Sequence, residues 1–190
     1  AVVAHAGKTF GGGLLQLRRE LERQGVSDPL WYEVPKSRKA PSQLRRAIKE
    51  GAELVFVWGG DGTVQRCIDA LDGADVPIAI VPAGTANLLA SNLDIPKDIE
   101  QAVSIGLHGA HRTLDLGRIN GERFAVMAGV GLDASMIADA SSALKRRVGT
   151  LAYVVSALKQ IRTLRSQVFR VDVEADGESW SGRSAMVLIG

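Results

Sequence analysis

The sequence predicts an α/β protein, a doubly wound amino-terminal domain followed by an incomplete second domain rich in antiparallel strands. Residues 54–58 (Leu54, Val55, Phe56, Val57, Trp58) are consecutive apolar residues without polar alternation. That pattern suits a strand covered on both faces, as in a parallel sheet flanked by helices. Short apolar runs then alternate with helical periodicities through about residue 107, the order of a doubly wound sheet. Beyond that point the period falls to two around Asn120-Gly121 and Asp176-Gly177, which are hairpin turn signals.

Residues 1–5 read as a first strand, followed by the turn Ala6-Gly7-Lys8-Thr9 and a helix carrying Leu14, Leu17 and Leu21 on one face. Gly7-Lys8-Thr9 is not a Walker A loop, because the glycine required five residues before Gly7 is Val2. Residues 30–34 form a candidate second strand, and residues 35–41 a loop before a helix bearing Leu44, Ala47 and Ile48. That loop carries Lys36, Arg38 and Lys39, which either meet an anionic ligand or lipid head or are simply solvated. The central strand leads into Gly59-Gly60-Asp61-Gly62-Thr63, after which Val64, Cys67, Ile68 and Leu71 recur at helical spacing. A fourth strand, residues 76–81, leads into Pro82-Ala83-Gly84-Thr85-Ala86-Asn87. Ile99, Ala102 and Val103 mark the inward face of a further helix, with Asp98 and Gln101 at capping-box spacing.

In the second half, Phe124, Val126 and Ala128 alternate after Asn120-Gly121, and Val171, Val173 and Ala175 alternate before Asp176-Gly177. Leu144, Val148, Leu151, Val155 and Leu158 trace the stripe of a long helix between these hairpins. The sheet here is expected to be mainly antiparallel. The change of pattern places a domain boundary near residues 108–112, giving an α/β domain over 1–110 and a partial β-rich domain over 111–190. Because the chain stops directly after the apolar run 185–189, its second domain is expected to be cut short.

The chemistry concentrates in the two glycine-bearing turns. Each follows a strand and precedes a helix, where free backbone N–H groups and the helix dipole favour an anion and glycines let a phosphate approach the main chain. Successive strands can bring two such turns to one cleft at the sheet's carboxyl edge. Asp61 would repel a polyphosphate unless a divalent cation bridged them or the carboxylate took a proton from an attacking group, and both roles imply phosphoryl transfer. The alternative is that Asp61 only caps the helix that follows it.

The pair of turns resembles the Gly-Gly-Asp-Gly-Thr and Pro-x-Gly-Thr-x-Asn signatures of the diacylglycerol kinase catalytic domain, shared with soluble bacterial lipid kinases and more distantly with sphingosine and ceramide kinases. NAD kinases and phosphofructokinases share only the first signature. The resemblance implies ATP and Mg2+ as cofactors and a lipid hydroxyl, most simply that of diacylglycerol, as acceptor. It implies a phosphate cradle of Gly59, Gly60, Gly62, Thr63, Gly84 and Thr85, with Asn87 holding the second turn. Asp61 is then the candidate catalytic and metal-linked carboxylate. Asp115 resembles the family's aspartate on the strand leaving the first domain, either supporting the metal through water or making a turn contact. Lys8 stands where the family's first turn faces nucleotide phosphates, but the usual Asn-Pro is missing there, so a phosphate contact and a solvent-facing lysine both stay open.

Gly129-Val130-Gly131-Leu132-Asp133-Ala134 resembles the family's segment beside the acceptor lipid, which makes Asp133 a substrate-site candidate. The same letters fit a Rossmann G-x-G-x-x-A fingerprint, but a hairpin and no βαβ unit precedes them, so that fit is set aside. Many soluble bacterial members carry Asp after the second signature's Asn, where this chain has Leu88. The family's late Asp-Gly-Glu segment, associated with a general base, is expected beyond Gly190; Asp176-Gly177-Glu178 sits in an earlier hairpin and Glu178 reads as a turn residue. The 190-residue chain is therefore expected to bind nucleotide even if it does not turn over.

Composition sets the remaining bounds. A 46% hydrophobic fraction is ample for a core, and 23% charged residues with net charge +2 give no indication of nucleic-acid binding. With Cys67 the only cysteine, no intrachain disulfide forms; a buried thiol and a reducing cytoplasm are expected. No apolar stretch reaches the roughly 18 to 20 residues that span a bilayer, so peripheral contact with a lipid surface is the expected mode, with Lys145, Arg146 and Arg147 either meeting anionic lipid or lying on an exposed helix face. His5, His108 and His111 show no metal-ligand spacing. A homo-oligomer is left open. The competing functions are an NAD kinase-like phosphotransferase, with Asp61 acting on a ribose hydroxyl, and a non-catalytic nucleotide-binding module.

Overall fold

The unbroken apolar run becomes β3 (Val55–Gly59), in which every residue is buried. In the computed structural model, which describes residues 1–71, 73–131 and 168–190, β3 lies inside a parallel four-stranded sheet with β1 (Val2–His5), β2 (Trp31–Val34) and β4 (Ile78–Pro82), in the order β2-β1-β3-β4. Side chains alternate across a strand, so covering both faces needs apolar residues at every position. Val3, Val55, Val57 and Ile80 pack on one face with residues of α2 (Ala40–Lys49) and α3 (Asp61–Leu71). Val2, Ala4, Phe56, Trp58, Ala79 and Val81 pack on the other with α1 (Gly13–Arg23) and α5 (Ile99–His108).

The predicted helix faces pack inward: Leu17 and Leu21 on α1, Leu44 and Ala47 on α2, Val64, Cys67 and Ile68 on α3, and Ile99, Ala102 and Val103 on α5 are buried, while Leu14, Ile48 and Leu71 are partly buried against the same clusters. Asp98 caps α5, its carboxylate accepting from the Gln101 N–H at 2.8 Å. Two boundaries differ from the sequence reading. The expected loop over 35–41 holds a 3-10 turn (Ser37–Lys39), and α2 starts at Ala40, so Pro41 sits in the first helical turn, where its missing N–H leaves nothing unpaired. The second glycine turn is followed by α4 (Leu88–Asn92), too short to show an apolar period.

The described residues divide into two compact units, Ala1–Val126 and Met127–Gly190. The first includes the hairpin of β5 (Gly117–Ile119) and β6 (Glu122–Phe124). Asn120 and Gly121, both at positive φ (49° and 87°), form its turn. This hairpin belongs to the first unit because α3 holds it: the Gln65 side-chain amide donates to the Arg123 carbonyl, and the Asp69 carboxylate accepts from the Arg123 N–H at 3.0 Å.

In the second unit β7 (Ala128–Gly131) pairs antiparallel with β10 (Met186–Ile189), and β8 (Phe169–Ala175) with β9 (Glu178–Ser184). Asp176 and Gly177 make the expected turn at φ 52° and 82°, and Glu178 opens β9 opposite Ala175. Gly129 and Gly131 lie in β7, which pairs antiparallel with β10, unlike the parallel strands of a dinucleotide-binding βαβ unit. Leu132, Asp133, Ala134 and the stripe from Leu144 to Leu158, with Lys145, Arg146 and Arg147, lie outside the described residues.

Candidate functional site

Because β1, β3 and β4 are parallel, their carboxyl ends and the turns that follow share one edge of the sheet. The chain steps from β1 to β2 on one side and continues with β3 and β4 on the other, so β1 and β3 flank a topological switch point, where open α/β sheets bind ligands.

The two glycine turns touch. A Cβ built on Gly84 would lie 2.5 Å from the Gly60 Cα and 2.6 Å from the Asn87 Oδ1, and one on Gly60 would lie 3.0 Å from the Gly84 Cα. Gly59 is fixed differently, since a Cβ there would come within 2.6 Å of the Thr63 Cβ. These three glycines are demanded by the fold itself. Gly62 is not: it is exposed, and a Cβ there would meet nothing within 4 Å.

Hydrogen bonds sort the turn amides into used and free. The Gly60 carbonyl accepts from the N–H groups of Thr63 (2.8 Å) and Val64 (3.1 Å), and the Gly59 carbonyl accepts from Ala83 N–H (2.8 Å). Asp61 and Gly62 open α3, where a helix leaves its first N–H groups without intrahelical acceptors and its dipole is positive. Thr85 and Ala86 are exposed on the second turn. Thr63, expected in the cradle, is 2% exposed with its amide already paired, so it supports the turn from beneath and does not face a ligand.

Asn87 is buried and left-handed (φ 51°), a conformation asparagine tolerates better than most residues. Its Oδ1 accepts from Gly84 N–H at 2.9 Å, and its Nδ2 donates to the Gly84 carbonyl at 3.0 Å, closing the second turn on itself. Asp61 reaches across from the first turn: Oδ2 accepts from Asn87 N–H at 2.9 Å and Oδ1 from Leu88 N–H at 2.5 Å. The alternative in which Asp61 caps its own helix is thereby corrected, because the carboxylate caps α4 instead. No local spacing signals a cap supplied from 26 residues upstream.

Lys8 is half-buried in the turn after β1; its carbonyl accepts from the indole N–H of fully buried Trp58 at 3.2 Å. Trp58 therefore ties the turn after β1 to β3, a role the sequence reading missed. A nitrogen-bearing aromatic inside an apolar run was the available signal, since a buried indole N–H needs a partner. Asp115 is exposed in the irregular stretch 110–116, with no hydrogen bond or ion pair to either turn among the described residues.

Among the described residues no group of three or more His, Cys, Asp or Glu side chains is placed to hold a metal. That composition still fits magnesium carried by a nucleotide, which binds through substrate phosphates and one or two carboxylates. His5 ends β1 and braces the turn that follows, its Nδ1 accepting from Gly7 N–H at 3.1 Å. Burial pushes the Cys67 thiol up to about 12, which makes it an inert core group and not a nucleophile.

The model of the diacylglycerol kinase catalytic domain matches residues 3–119. A diacylglycerol kinase of Bacillus subtilis (strain 168) is 33% identical over 150 residues, covering 75% of this chain and 49% of that protein. One of Staphylococcus carnosus (strain TM300) is 31% identical over 165 residues, covering 84% and 52% respectively. The chain thus spans about half the length of these curated relatives. A crystal structure of a diacylglycerol kinase from Bacillus anthracis superposes with a TM-score of 0.70 at 22% identity, over 98% of this chain and 62% of that one, and shows the shared fold.

Proposed function

Because the chain belongs to the diacylglycerol kinase catalytic domain family, we propose that the protein carrying it transfers the γ-phosphoryl group of ATP to a lipid hydroxyl, with diacylglycerol as the acceptor. The observation that carries this reading is Gly62, open to solvent at the amino end of α3 while its neighbours Gly59 and Gly60 are committed to packing. A glycine the fold does not need is one that something outside the fold can use. A phosphate approaching Gly62 meets main-chain amides and a helix dipole with no side chain in its way.

Phosphoryl transfer is mostly placement and charge neutralisation, so the chain's own task is to hold the phosphates still and in line. Gly60 and Gly84 let the two turns meet, Gly62 and Thr85 face the phosphates, Asn87 and Thr63 brace the turns, and Lys8 belongs to the third turn at the same edge. Bound magnesium would neutralise phosphate charge, held by the nucleotide with Asp61 and Asp115 as the carboxylates assigned to it. Asp133 is assigned to the acceptor side. Among the described residues no helix is long and apolar enough to cross a membrane, which is compatible with reaching a lipid from the membrane surface.

The test is an assay of the complete protein with γ-labelled ATP and magnesium, offering diacylglycerol, ceramide, sphingosine and NAD as acceptors. Label is expected in diacylglycerol. Label in NAD would select the NAD kinase-like alternative, and nucleotide binding without transfer to any acceptor would select a regulatory module.

A further inference from the structure

We infer that Asp61 serves the site as a positioning residue: its carboxylate locks the second glycine turn against the first, and it is not the group that receives the acceptor's proton. This rests on the kinase reading above and gives Asp61 a task besides the magnesium link assigned to it there, one that amide exchange reads without metal or nucleotide. Both carboxylate oxygens already have donors, the N–H groups of Asn87 and Leu88 at 2.9 and 2.5 Å. Those amides begin α4, so they have no acceptor within that helix. Asn87 cannot provide one, because its side chain is closed onto the Gly84 backbone.

The link has two layers. Gly60 and Gly84 meet with no room for a methyl group between them, and the Asp61 carboxylate adds charge-assisted hydrogen bonds to the same pair of turns. Swinging the carboxylate toward an incoming hydroxyl would break contacts that hold the second turn, the one carrying Thr85. Leu88 contributes only its main chain to this link, since its side chain is 45% exposed. A transfer that runs through a loose transition state depends more on alignment and charge than on a strong base, so placement is a sufficient role for this carboxylate.

The experiment uses the complete protein and Asp61→Asn, which turns an amide NH2 toward one of the two main-chain donors. The positioning role predicts that affinity for MgATP falls roughly tenfold to a hundredfold, as expected for losing a hydrogen bond to a charged acceptor. It predicts a much smaller fall in kcat at saturating nucleotide, and a kcat pH profile whose limbs stay where they are in the unaltered protein. Residue-resolved amide exchange in the unaltered protein should show Asn87 and Leu88 protected, with that protection lost in the variant. The inference is overturned if Asp61→Asn binds MgATP within about twofold of the unaltered protein while kcat collapses and a pH limb disappears. It is equally overturned if the Asn87 and Leu88 amides of the unaltered protein exchange as freely as in open coil, a measurement that needs no folded variant. Failure of the unaltered protein to bind MgATP would count against the kinase reading alone, because amide exchange reads the link without nucleotide.

Discussion

A methyl group at Gly62 would meet nothing, and at Gly84 it would overlap the neighbouring turn. That contrast separates an open glycine from a packing glycine by measurement. Gly62→Ala should fold with unchanged or slightly raised stability, up to about 1 kcal/mol from helix propensity, yet lose nucleotide affinity by roughly tenfold as the methyl fills the approach to the main chain. Gly84→Ala should instead lower the melting temperature, with an overpacking cost on the order of 1–3 kcal/mol. Thermal melts and nucleotide titrations on both variants decide it; a Gly62→Ala variant that binds ATP normally would place the phosphates elsewhere. The sequence made all four motif glycines look alike. Only their surroundings distinguish them.

Among the elements, the hairpins were the most legible, because a two-residue turn with both residues at positive φ is encoded locally by Asn-Gly and Asp-Gly. The short α4 was not, since five residues carry no period and its cap arrives from another part of the chain. The pairing of α1 with α5 adds a pH dependence. Glu20 accepts from the Arg23 guanidinium, which also donates to Glu100 on α5 at 2.8 Å, and Gln24 donates to Glu20 at 2.8 Å. The Arg23 contact, ahead of an opposing effect of burial, holds the Glu20 carboxyl below its ordinary value of 4.5. A lowered carboxyl stabilises the fold above its unfolded-state value and loses that contribution as pH falls through the folded-state value. Urea midpoints should therefore decline as pH falls below the ordinary carboxyl value of 4.5, and Glu20→Gln should shrink that decline. An equal decline in the variant would remove Glu20 from the acid sensitivity.

At the scale of the whole molecule, Cys67 offers a probe of how α3 and the sheet come apart. It is fully buried on the inner face of α3 with its thiol pushed up to about 12, so a thiol reagent should label it only at the rate of unfolding of the first unit. Labelling much faster than unfolding measured by circular dichroism would reveal a local opening of α3. The sequence by itself determined the layered α/β architecture, the helix faces, the hairpin turns and the two glycine-bearing strand-to-helix turns, because apolar period and turn chemistry are properties of neighbouring residues. Tertiary structure alone decided that the two glycine turns touch, that Thr63 is buried, that Trp58 holds the Lys8 turn, and that Asp61 reaches across to α4. Each of these depends on residues far apart in the chain meeting at one edge of a parallel sheet, and no local pattern records which distant partner a side chain will find.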